Sequence, residues 1–203
     1  MPYAVSLFGL TPGWPSALVQ GQAISVLARA AQATGRPDYR AAAERAVGAF
    51  TVDVAPGGVR RKQSRGALLY EEYPSALGSG VLNGFLSALW GLYDYLLLTG
   101  DLAVKDLCER GLGGLLGSLS LYDTGYWSRY MLGRPRGVSN LASPYYHAEH
   151  IVQLYATYML TAHDALRAMA ERWERYARSS LAVLRVVLVK AASRAVVGFC
   201  HGP

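Results

Sequence analysis

The chain has 203 residues, 52% of them hydrophobic and 17% charged, and a net charge of +6. This is the size of one domain with enough apolar content for a sizeable core, which excludes a disordered chain. The positive balance favours an anionic partner, but no Lys/Arg cluster interleaved with aromatics marks a nucleic-acid surface, so nucleic acid is not expected as a partner.

The opening stretch, MPYAVSLFGLTPGWP, has no basic leader and only a short, interrupted apolar run, so it does not read as a secretory signal. Apolar helical patterns follow over Ala17 to Ala33, Val81 to Leu98 and Ala148 to Leu160. Each runs into a segment made of Thr, nine residues and Glu-Arg: Thr34 to Glu44-Arg45, Thr99 to Glu109-Arg110, and Thr161 to Glu171-Arg172. The copies start 65 and then 62 residues apart, and a further helical pattern follows each turn. The unit is therefore helix, short turn, helix and a long connection. One helical hairpin cannot bury both of its apolar faces, whereas stacked copies can. The expectation is an all-α array of hairpins, with Ala-, Gly- and aromatic-rich helices inside and Glu-Arg helices outside. The first connection, Thr51 to Leu69, reads mostly as loop, and its Arg60-Arg61-Lys62 run with Arg65 reads as solvated. The last segment, Ser180 to Phe199, is apolar but holds Arg185, Lys190 and Arg194. Three cations argue against a membrane span and for a terminal amphipathic helix, lying on the protein or on a membrane surface.

Two islands of aromatic and polar residues occupy the long connections: Leu69-Tyr70-Glu71-Glu72-Tyr73-Pro74, and the stretch from Tyr122 to His150. They hold seven of the 14 tyrosines. Loops on a rigid scaffold commonly carry function, and this mixture suits the wall of a sugar cleft. In an extended segment Tyr70 and Glu72 share one side, and Glu71 and Tyr73 the other. A carboxylate beside phenols is partly desolvated and suits a general base, although a surface glutamate among stacked tyrosines fits the same pattern. Pro144 opens a helix that places Tyr146 and His150 on one face, with His147 and His150 within reach of a common ligand. His150 suits local packing and hydrogen bonding equally well. HAEH lacks the spacing of a metalloprotease motif, so neither a metal nor a cofactor is expected. Asn83 and Asn140 suit hydrogen bonds to sugar hydroxyls or the capping of turns. Cys108 reads as a small buried apolar residue.

These stretches resemble the C-terminal domain of the D-glucuronyl C5-epimerases (heparosan-N-sulfate-glucuronate 5-epimerases). The matching runs are GWPSALVQGQAIS from Gly13, YEEYPS from Tyr70, VLNGF from Val81, GLYDY from Gly91, LYDTG from Leu121 and NLASPYYHAEHIVQL from Asn140. The resemblance implies an (α/α) toroid, here incomplete, with the helical domain over residues 13–180 and an amphipathic helix or tail over 181–203. It implies an isomerase that inverts C5 of glucuronate in an anionic, heparosan-like polysaccharide, giving iduronate. It assigns catalysis to Glu72, Tyr130 and Tyr146, with Tyr126 as the alternative to Tyr130. Tyr73, Asn83, Tyr126, Asn140 and His147 become substrate contacts, and Arg134 or Arg129 stands in for a family arginine. The family places a β-rich region before this domain. With about a dozen residues preceding Gly13, a partner chain supplying that region, or a homodimer, is the expected protein partner. A glycan-binding domain without catalysis, and a toroid-type lyase or hydrolase, are the competing functions.

Overall fold

Each inner helix ends on the threonine of the repeat. In α1 (Ala17–Thr34), α3 (Leu82–Thr99) and α5 (Pro144–Thr161) that hydroxyl donates to the carbonyl four residues back. Thr34 reaches Ala30 at 2.6 Å, Thr99 reaches Tyr95 at 2.8 Å and Thr161 reaches Thr157 at 2.8 Å. The next residue is left-handed in all three: Gly35 (φ 68°), Gly100 (φ 66°) and Ala162 (φ 57°). Its N–H returns to the carbonyl of Ala31, Leu96 or Tyr158, satisfying groups that the helix end would leave unpaired. The partner helices α2 (Pro37–Thr51), α4 (Leu102–Ser118) and α6 (Asp164–Ala177) start almost at once. The repeat seen in the sequence is thus a repeat of turn chemistry.

Ala162 stands where the other two turns have glycine. A residue with a Cβ pays roughly 1–2 kcal/mol in this conformation, and glycine returns part of that as unfolded-chain entropy. Ala162→Gly is expected to stabilise the protein by about 1 kcal/mol, read as a thermal midpoint raised by about 2–4 °C. A lowered midpoint would show that the turn carries no strain.

The computed structural model describes residues 2–133 and 140–200. They fall into two compact units, one ending at Gly117 and the other starting at Ser118. In the first unit α1 packs against both α2 and α3. Its core includes Ile24, Ala28, Phe50, Phe85, Leu89 and Leu92. The α1 and α3 backbones meet closely: a Cβ on Gly21 would stand 2.5 Å from the Ser87 carbonyl oxygen and 2.6 Å from Ala88 Cα.

The first connection departs from the expected loop. β1 (Arg60–Lys62) pairs antiparallel with β2 (Leu68–Tyr70). All three β2 residues are buried, so core burial holds a hairpin that Arg-Arg-Lys would not specify by propensity. The basic run is also neutralised rather than simply solvated. Arg60 and Lys62 both pair with Asp53, at 2.6 and 3.0 Å, and Arg61 pairs with Glu71 at 2.6 Å.

In the second unit a short turn over Leu119–Tyr122 leads into the second island. The island is tied by isolated bridges between Asp123 and Ser128 and between Arg129 and Leu141. Ser143 caps α5, its hydroxyl accepting from the Tyr146 N–H at 3.2 Å, and Pro144 takes the first helical position. α6 packs on α5. The terminal helix α7 (Ser180–Cys200) packs on α6 and puts Ala182 and Val186 into a cluster with Trp127, Leu141 and Ala142. The segment read as amphipathic therefore docks on the protein, while Leu181, Leu184 and Leu188 remain exposed. No helix among the described residues is long and apolar enough to cross a membrane.

Candidate active site

In the first unit the YEEYP island lies at the N-terminal ends of the inner helices. The Ala17 N–H, opening α1, donates to the Glu71 carbonyl at 3.1 Å. The two adjacent glutamates have different surroundings. Glu71 is 1% exposed. Its Oε1 accepts from Arg61 Nε at 2.6 Å, and its Oε2 from the Ser79 N–H, the Ser79 hydroxyl and the Gly80 N–H at 3.0, 2.7 and 3.0 Å. That carboxylate is committed to holding the island against β1 and the segment before α3. Glu72 is 5% exposed and lies against the first turn of α3. A Cβ on Gly84 would be 2.8 Å from Glu72 Cβ and closer still to its Oε2. Gly84 therefore makes the recess that Glu72 occupies. The positive end of the α3 dipole favours a negative charge there.

Tyr70 and Glu72 both turn towards α3, as alternation requires, but Tyr70 is a core ring and not a wall of the cleft. It packs edge-on against Phe50 and Phe85, and its hydroxyl donates to the Leu107 carbonyl at 2.7 Å. Burial pushes its pKa above the ordinary phenol value. Tyr73 lies on the other side, its ring 4.7 Å from Phe8 and 5.9 Å from Trp14. Asn83 is the second residue of α3 and not its N-cap, a position held by Val81, whose side chain makes no capping bond. It is buried, as are Ser16 and Gln20 at the start of α1 and Ser87 on α3. Buried polar side chains thus gather at this end of α1 and α3, beside Glu72. Gln20 and Ser87 gave no separate signal in the sequence beyond lying in apolar helical runs.

In the second unit the first turn of α5 and the island loop come together. The Tyr130 and Tyr146 rings are 4.7 Å apart, and both residues are half-buried. Tyr126, the alternative, packs near them, and Arg185 of α7 stands 3.8 Å over its ring. Asn140 accepts from the Tyr130 N–H at 2.6 Å through its backbone carbonyl, and its side-chain amide donates to the Gly133 carbonyl. Its Oδ1 has no hydrogen-bond partner among the described residues. Arg129 is exposed, and Arg134 lies outside the described residues.

His147 is 1% exposed, stacked 3.7 Å from the Trp127 ring, and occupied at both nitrogens. The Ser128 N–H points at its Nδ1 from 3.3 Å, so Nδ1 accepts and Nε2 donates to the Trp173 carbonyl at 3.1 Å. The Ser128 hydroxyl then donates to His147 Nδ1 at 2.8 Å and accepts from His150 Nδ1–H at 3.1 Å. One serine thus ties the loop carrying Tyr130 to the helix carrying Tyr146. Ser128, Trp127 and Trp173 were not singled out by the sequence, although YWSRY displays two of them. Among the described residues no group of three or more His, Cys, Asp or Glu side chains is placed to hold a metal.

Burial lowers the pKa of His147 to about 4 and of His150 to about 3, the latter helped by the neighbouring His147. In the unfolded chain both take up protons near pH 6.5. The unfolded state therefore binds more protons over the interval between these values, and stability falls as pH drops below about 6.5. Each histidine contributes about 1.4 kcal/mol per pH unit. A loss of roughly 3–4 kcal/mol is expected between pH 7 and pH 5, measured as the urea midpoint. A flat midpoint over that range would contradict the neutral, serine-bridged pair.

The chain matches the family model described as D-glucuronyl C5-epimerase C-terminus over residues 2–175, so α7 lies beyond the match. It is 37% identical over 184 residues to the D-glucuronyl C5-epimerase of Caenorhabditis elegans, covering 83% of this chain and 29% of that protein. It is 29% identical over 170 residues to the uncharacterized protein MJ1128 of Methanocaldococcus jannaschii, covering 82% of this chain and 54% of that one. The chain thus spans under a third of the first relative's length and about half of the second's. Among solved structures, the cellobiose 2-epimerase of Spirochaeta thermophila superposes with a TM-score of 0.57 at 20% identity, over 86% of this chain and 43% of that one. That likeness establishes the (α/α)-toroid class of fold. With most of its length under the family model and a relative this similar, the chain belongs to the D-glucuronyl C5-epimerase C-terminus family.

Proposed function

We propose that this chain is the helical part of an epimerase that inverts C5 of a glucuronate unit in an anionic, heparosan-like polysaccharide, giving iduronate. The observation that carries this reading is the division of labour in the island: Glu71 is spent on Arg61, Ser79 and Gly80, and Glu72 is lodged at the positive end of α3. The C5 proton is alpha to a carboxylate. Its removal leaves an enolate-like intermediate, and a proton returned to the opposite face completes the inversion with no net change in composition. In this scheme Glu72 exchanges the proton on one face. Tyr130 and Tyr146, in contact with each other in the second unit, are the further proton-exchanging groups that the family resemblance assigns. Tyr73, Asn83, Tyr126 and Asn140 hold the sugar, and His147 acts from beneath by fixing the loop. Membership of the C5-epimerase C-terminus family supports the reaction class.

Incubation with heparosan in deuterated water tests the reaction. Deuterium at C5 of uncleaved chains, read by NMR, is the expected result. A 4,5-unsaturated product absorbing in the ultraviolet would instead identify a lyase, because a lyase shares the proton abstraction but expels the C4 substituent.

A further inference from the structure

Arg185 belongs to α7, outside the residues that match the family, yet its guanidinium lies 3.8 Å above the Tyr126 ring. It flanks the buried stripe of Ala182 and Val186, by which α7 docks on the cluster that also contacts Tyr126, Tyr130 and Tyr146. The side chain is exposed and makes no salt bridge among the described residues, so its donors are available. Stacking on a ring holds the planar fork in place, which lowers the entropy lost when it binds a carboxylate through two hydrogen bonds. Arg172, by contrast, is already paired with Asp123 at 2.9 Å.

We infer that Arg185 is a substrate-binding residue, the α7 cation that takes a uronate carboxylate of the polysaccharide beside the tyrosine pair. α7 is then part of the binding site. The inference rests on the proposed function and adds to it a residue that no family motif supplies.

The test measures binding of an unsulfated heparosan oligosaccharide to the full chain by calorimetry. Arg185→Gln is compared with Arg175→Gln, which removes the same charge from an exposed position on α6. The expected result is about a tenfold weaker Kd for Arg185→Gln, a smaller loss for Arg185→Lys, and no change for Arg175→Gln. Carboxyl-reduced heparosan should not distinguish wild type from Arg185→Gln. Unchanged binding by Arg185→Gln, or an equal loss in both glutamine variants, would overturn the inference while leaving the proposed function standing. Failure of the wild type to bind any uronate glycan would overturn the proposed function itself, and the inference with it. Thermal midpoints of the variants exclude misfolding as the cause.

Discussion

Gly84→Ala is expected to lower C5 exchange by about a hundredfold or more while leaving the protein folded. The added Cβ would occupy the space now held by Glu72 Cβ and its Oε2. Displacing a reacting group by about 1 Å costs on the order of a hundredfold in rate. The loss of stability is held to roughly 0–2.5 kcal/mol because two terms oppose each other. Alanine improves on glycine inside a helix by about 0.5–1 kcal/mol, and overpacking costs about 1–3 kcal/mol. Exchange measured together with the thermal midpoint separates the two. Full exchange in the variant would mean that Glu72 is not the group whose position matters.

Glu71→Ala should show the converse behaviour, a severe loss of stability. Removal of this carboxylate leaves Arg61 without its ion-pair partner and takes away the Glu71 acceptor of the Ser79 and Gly80 N–H groups, in a place where the glutamate side chain is 1% exposed. Breaking a buried pair from one side typically costs about 3–5 kcal/mol, because the remaining groups stay desolvated. Chemical denaturation of the variant should show a loss of that order. A loss under about 1 kcal/mol would be typical of an exposed pair and would contradict the assignment of Glu71 to structure.

The two glutamates show where the sequence is informative and where it is not. The three hairpins were legible because their turns are local: a threonine bonding four residues back and a left-handed residue after it leave a fixed signature. The opening of α5 at Pro144 and the buried state of Cys108 were legible for the same local reasons. The β1–β2 hairpin was not, because three-residue strands reading RRK and LLY show no alternation and are held by tertiary burial. Side-chain alternation placed Tyr70 and Glu72 on one side, but it could not tell that Tyr70 ends in the core, since its hydroxyl partner is 37 residues away. The distinction between Glu71 and Glu72 depends on Arg61, Ser79 and Gly84, which only the fold brings to the island. The family resemblance favoured Glu72, and the surroundings of Glu71 give a physical reason for the same choice. The Ser128 bridge to His147 and His150 spans 19 and 22 residues and carried no pattern at all.

Glu72→Gln most directly tests the central claim, that Glu72 exchanges the C5 proton in a site otherwise built by this fold. The amide keeps the shape of the side chain and removes its basicity, so the recess against Gly84 stays filled. With heparosan in deuterated water, wild-type protein should place deuterium at C5, and Glu72→Gln should place none above background while still binding the glycan. Exchange by Glu72→Gln at the wild-type rate would contradict the account.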